Sequence, residues 1–166
     1  MISPHPNNFE NKSIALVTIL CIATFGLYVI YRLYQLTTVI NHRVFNGIST
    51  LFVWTAISIH LTSLLILAYY FLYSAPAELL ILAKVMHLIS SIFHGIWIFK
   101  VKNRINEINN AYKGNSLWLK PFLSAFFHVI YFQMKINQSN KISSAITSWC
   151  GGKVVQCNYS RCVWNE

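Results

Sequence analysis

The sequence contains no aspartate, and its four glutamates, Glu10, Glu78, Glu107 and Glu166, are widely separated. That scarcity excludes paired-acid catalysis, and it leaves proton or ion transport without an intramembrane carboxylate. Charge of either sign is rare: 10% of the 166 residues are charged, against about 25% in an average soluble domain. With 55% hydrophobic residues and a mean hydropathy of +0.49, the chain cannot cover a water-facing surface, which excludes a soluble enzyme and a disordered tail protein. Recognisable catalytic motifs are missing as well: there is no G-x-S-x-G, no H-E-x-x-H and no phosphate-binding glycine loop. No enzyme and no cofactor are expected.

What the chain does have is long uncharged runs. A bilayer core takes about 20 apolar residues per helical span. Ile14–Tyr31 and Ile48–Ala75 carry no charge, and Leu79–Phe99 carries only Lys84, which can snorkel to the nearer interface. The first run is too long for a cleaved signal peptide and lacks a following A-x-A site. Leu117–Met134 is interrupted by Lys120-Pro121 and closed by Gln133 and Lys135. The remaining stretch, Phe122–Phe132, has a length typical of re-entrant or interfacial segments.

These runs predict an all-α integral membrane helical bundle with helices over about 13–42, 47–75, 78–113 and 116–137. Three would be full spans and the fourth a re-entrant helix, with four spans as the alternative. Residues 1–142 form this domain; 143–166 form a loosely ordered tail with Cys150, Cys157 and Cys162. Their C-x6-C-x4-C spacing is not that of a zinc site. Basic residues follow the first and third runs, at Arg32, Arg43, Lys100, Lys102, Arg104 and Lys113. By the positive-inside rule those ends face the cytoplasm, and the N-terminus and the turn at Pro76 face out. Past Phe99, Val101, Ile105, Ile108 and Tyr112 form one apolar stripe, and past Arg32 so do Leu33, Leu36 and Ile40, so the first and third helices extend beyond the membrane; Leu79–Tyr112 would measure roughly 50 Å. The alternative is a break near Lys100 with the extension flat on the inner leaflet. Nucleic acid is not an expected partner, because topology accounts for the +9 charge.

Three segments end alike, with aromatic rings, a cation and then Ile-Asn. The first gives Tyr28, Tyr31, Arg32 and Asn41; the third gives Trp97, Lys100 and Asn106; the fourth gives Tyr131, Lys135 and Asn137. The chemistry suits membrane exit, with rings at the interface, a cation among headgroups and an amide to cap the helix. These residues, with Thr24-Phe25-Gly26-Leu27-Tyr28, resemble a bacterial membrane family known as domain of unknown function 4234. The resemblance covers about residues 12–140, with Phe25 and Val29 standing where Leu and Gly are commoner. It implies a small prokaryotic integral membrane protein and brings no reaction, ligand or catalytic residue.

The histidines are the remaining candidates. His87 and His94 share a helix face with Lys84 and Ser91, and this polar stripe is expected to face the bundle interior. His60 and His128 sit mid-way along their segments. Their main reading is structural hydrogen bonding; the alternative is haem or metal ligation. Gly26 and Gly95 are expected to permit close packing or a kink. The function expected is that of a structural or interaction component of the cytoplasmic membrane, multi-pass, in contact with anionic inner-leaflet lipids, with a protein partner or a second copy. The alternatives are a haem- or metal-binding redox protein and a pore-forming or membrane-perturbing factor, the latter drawn from the basic stretch Lys100–Lys113.

Overall fold

The structure, a computed structural model, describes residues 9–24, 26–73 and 76–149, with 157–158 and 161–162 beyond them. Its body is all helical: α1 (Ile14–Ala23), α2 (Leu27–Asn41), α3 (Thr50–Tyr73), α4 (Ala77–Ile108) and α5 (Pro121–Trp149). Near the C-terminus, Cys157–Asn158 and Arg161–Cys162 form a two-residue antiparallel pairing. The readings made for Phe25, for Cys150 and for the tail thiols lie outside the described residues and side chains.

Helices α3 and α4 form an antiparallel hairpin and are long and apolar enough to cross a membrane. Only 17% and 11% of their most apolar windows are buried, so their apolar faces turn outward and not into a core. Small residues recur along the seam between them. Ala56 and Ser63 on α3 and Ala83 and Ser90 on α4 are buried, each pair seven residues apart, and small side chains let two backbones approach.

The first long helix expected over 13–42 is broken. Gly26 takes φ +89°, a left-handed conformation that costs a residue with a Cβ roughly 1–2 kcal/mol. Thr24 helps to fix the break: its hydroxyl donates to the Leu20 carbonyl and accepts the Tyr28 amide. The chain then doubles back. The Arg43 guanidinium lies 5.3 Å from the Phe9 ring centroid, although each residue is 17 positions from Gly26; a straight helix would hold them about 50 Å apart. The described N-terminal segment therefore lies at the basic end of the bundle, beside Arg43, and not at the opposite end as its single lysine suggested.

Helix α5 also doubles back. It starts at Pro121, where the missing N–H costs nothing, and breaks at His128 (φ 13°, ψ −98°). Leu119 N–H donates to Asn106 Oδ1 of α4 at 2.8 Å, and Ser139 Oγ bonds Asn109 Oδ1 of the same helix end at 3.1 Å. Twenty helical residues would separate Leu119 and Ser139 by about 30 Å, so the arm over 129–149 returns to where the arm over 121–127 began. Two expected boundaries change accordingly. α4 stops at Ile108 and not at 113, giving way to Asn110 and Gly114 in positive φ. α5 runs to Trp149, twelve residues past the expected helix end at 137 and into the expected tail.

The core sits at the basic end. Leu33 and Ile40 of α2, Trp97, Val101 and Ile105 of α4, and Val129, Phe132 and Ile136 of α5 are all but fully buried in one cluster, with Leu119 and Val17. The stripe past Lys100 thus continues α4 as far as Ile108: Val101 and Ile105 are buried and Ile108 partly so, whereas Tyr112 lies beyond the helix and is exposed.

Candidate functional site: a histidine row and a buried arginine

The three Ile-Asn endings converge. Ile40, Ile105 and Ile136 enter the same cluster, and each asparagine braces a neighbouring segment. Asn41 Nδ2 donates to the Ile48 carbonyl at 2.8 Å, while its Oδ1 accepts the Ile48 amide at 2.7 Å. A Cβ at Gly47 would sit 2.8 Å from that Oδ1, so glycine is needed beside the clamp. Asn106 holds Leu119, and Asn137 Nδ2 donates to the Lys12 carbonyl at 2.8 Å. The expectation of helix caps is replaced by cross-braces between segments distant in the chain.

The expected interface anchors divide into two sets. Tyr31 is exposed, Tyr28 is half-buried, and Lys100 lies 4.3 Å from the Phe52 ring centroid. Lys135 reaches the Ser116 carbonyl; desolvation, with Lys120 nearby, holds its ammonium below the ordinary lysine value. Trp97, Tyr131 and Arg32 are instead buried. Trp97 Nε1 donates to Thr37 Oγ1 at 2.9 Å, locking α4 to α2; an indole enters a core readily when its one donor finds a partner.

Arg32 is the centre of a network that joins both doubled-back elements. Its NH1 donates to Gln35 Oε1 at 2.7 Å and its NH2 to Gln133 Oε1 of α5 at 2.6 Å. Gln133 Nε2 donates in turn to the Glu10 carbonyl and to Asn137 Oδ1. Arg32 is 4% exposed, and its Nε has no partner. The ion pairs among the described residues, Lys12–Glu10 and Arg104–Glu107, do not include it. A cavity of about 440 Å³ lies beside it, bounded by Phe9, Glu10, Tyr31, Gln35, Leu36 and Val39.

The four candidate histidines do come together. Ring centroids step from His87 to His60 (6.3 Å), from His60 to His94 (6.4 Å), and from His94 to His128 (5.9 Å). Two are oriented by serines: His60 Nδ1 is 2.9 Å from Ser90 Oγ, and His87 Nδ1 is 2.9 Å from Ser63 Oγ. Because Ser63 donates its proton to the His60 carbonyl, its oxygen accepts from His87, placing the proton of that ring on Nδ1. His60 Nε2 and His128 Nδ1 are buried without partners. Among the described residues no group of three or more His, Cys, Asp or Glu is arranged to hold a metal ion.

The polar stripe on α4 is rotated from its expected position. Ser90 faces inward, whereas Lys84 and Ser91 are exposed. Gly95 has nothing within 4 Å of a built Cβ, and α4 passes through it unbroken, so it serves neither close packing nor a kink. Gln133, Thr37, Ser63 and Ser90 are the structural partners that sequence spacing did not single out. No protein-family model, curated protein or solved structure matches the chain, so its functional reading rests on this geometry.

Proposed function

We propose that the protein is a wedge-shaped structural component of a membrane, inserted chiefly from one face. In this reading α3 and α4 cross the bilayer. The α1–α2 pair and the bent α5 enter from the basic end and return to it. The observation that carries the reading is the pair of reversals at Gly26 and His128, which leaves Phe9, Asn41, Ile105, Leu119 and Ile136 at one end. Thr37 is bonded to Trp97, and Gly26 lies eleven residues earlier, about 16 Å deeper along α2. That is about half of the roughly 32 Å that α4 travels from Trp97 to its tip at Pro76. His128, beside His94, turns at a shallower level.

The charge distribution fits. Lys12, Arg43, Lys100, Lys102, Arg104, Lys113, Lys120, Lys135 and Lys141 gather at the basic end, which faces the cytoplasm under the positive-inside rule. The short arms are apolar on their exposed faces, with Ile19 and Ile22 on α1 and Phe122, Phe126 and Phe127 on α5. Six helical arms occupy the headgroup end of the basic-side leaflet, four continue below the turn at His128, and two reach the other leaflet. For helices about 10 Å across, six arms against two is roughly 500 Å² against 160 Å². Such a section favours a membrane convex toward the basic side. Membership of the bacterial membrane family whose motifs the chain resembles, and residence in the cytoplasmic membrane, belong to this proposal.

The test is reconstitution of the whole chain into lipid vesicles. The protein is expected to reduce vesicle diameter and to concentrate on narrow membrane tubes with its basic end outward. Equal density on flat and tubular membrane would defeat the proposal. A second reading, haem or metal ligation by the histidine row, draws on the two unpartnered ring nitrogens, His60 Nε2 and His128 Nδ1. The absorbance spectrum and metal content of the purified protein decide it. The pore reading drew on the basic stretch Lys100–Lys113, of which Val101 and Ile105 are buried while Tyr112 is exposed.

A further inference from the structure

We infer that Arg32 forms a binding site for the anionic headgroup of a membrane lipid, specifically a phosphate-bearing one, with the acyl chains running along the outer face of α2. The inference rests on the bundle lying in a bilayer with its basic end among the headgroups. A guanidinium that is 4% exposed and has only neutral amides as partners is an uncompensated charge, which proteins rarely bury unless an anion accompanies it. Glu10 lines the same cavity, but its carboxylate is engaged by Lys12 at 3.1 Å and lies mostly in the open. The Glu10 backbone carbonyl, and not its side chain, is what reaches the network through Gln133.

The cavity beside Arg32 supplies the remaining parts. Gln35 already holds NH1 and donates its own Nε2 proton to the Tyr31 hydroxyl at 2.6 Å. That hydroxyl keeps its own proton for a phosphate oxygen at the mouth of the cavity. Phe9, Leu36 and Val39 make the apolar walls, and Tyr31 and Tyr34 are exposed beside them. Their rings suit the level where headgroup meets hydrocarbon. The lining residues run along α2 from Tyr31 to Val39, the length over which the acyl chains of the bound lipid would lie.

The experiment compares the thermal unfolding of the full chain in nanodiscs of phosphatidylglycerol and of phosphatidylcholine, with native mass spectrometry to count retained lipids. Phosphatidylglycerol is expected to raise the midpoint by about 5 °C or more through binding to the folded state, with one such lipid retained. Arg32→Gln should abolish the lipid-dependent difference. Because that variant removes a buried group and risks misfolding, Tyr31→Phe with Gln35→Ala provides a second variant outside the core, expected to halve the difference or better. An equal midpoint in both lipids overturns the inference, as does a difference that survives both variants. Inorganic phosphate in phosphatidylcholine discs should not reproduce the shift; if it does, the site takes a free anion and the lipid assignment fails. If Glu10→Gln alone removes the difference, Glu10 governs the response and the assignment to Arg32 is overturned. The wedge reading is judged separately by vesicle shape, so the two can fail independently.

Discussion

Arg32 NH2 and Gln133 Oε1 meet at 2.6 Å across 101 residues of chain, inside the bundle. This one bond ties the first doubled-back pair to the second, and Gln133 extends it to the N-terminal segment through the Glu10 carbonyl. Removing the acceptor leaves a buried guanidinium short of a partner, and hydrogen bonds to charged groups contribute about 1.5–3 kcal/mol. Gln133→Leu is therefore expected to destabilise the protein by about that amount. Denaturant unfolding in detergent measures it, and Met134→Leu, on an exposed neighbouring position, should shift stability by less than about 0.5 kcal/mol.

The reversal at Gly26 makes a prediction of its own. Built Cβ atoms find nothing within 4 Å there, so substitution costs conformation and not space. Gly26→Ala should lower stability by roughly 1–2 kcal/mol, whereas Gly95→Ala, inside regular helix, should raise it by about 0.5–1 kcal/mol. Opposite signs at the two glycines, one in the break and one inside a helix, are the expected signature. Equal effects would mean that α1 and α2 form one straight helix in the bilayer.

Sidedness follows from the same reversals. In a background without native cysteines, single cysteines at Asn11, Asn46 and Lys113 should react with an impermeant thiol reagent from one side of the membrane. A cysteine at Ala77 should react from the other. Labelling of the Asn11 position together with Ala77 would return the chain to an odd number of crossings before α3.

Gly47→Ala should disturb the Asn41 clamp, because the new methyl would stand 2.8 Å from Asn41 Oδ1. Loss of the two Ile48 bonds is expected to cost about 1–3 kcal/mol. Adding Asn41→Ala should cost little more, since both changes break one unit. A full additive penalty in the double variant would show that Gly47 acts elsewhere.

The sequence by itself determined which segments are helical and apolar, which ends are cationic, and that Asn41, Asn106 and Asn137 play parallel roles. Those are local properties: hydropathy, charge and a repeated Ile-Asn pair are legible without knowing what lies opposite. The place of the four histidines was half legible, since seven-residue spacing puts His87 and His94 on one face whatever they meet. Tertiary structure decided the direction of travel. A single left-handed residue at Gly26 and one broken residue at His128 reverse the chain, and nothing in composition distinguishes a span from two arms of the same oiliness. It also decided that Arg32, Trp97 and Tyr131 lie inside, because a side chain's exposure depends on which helix covers it. Trp97 lies inward in the apolar cluster with its one donor met by Thr37, sixty residues earlier.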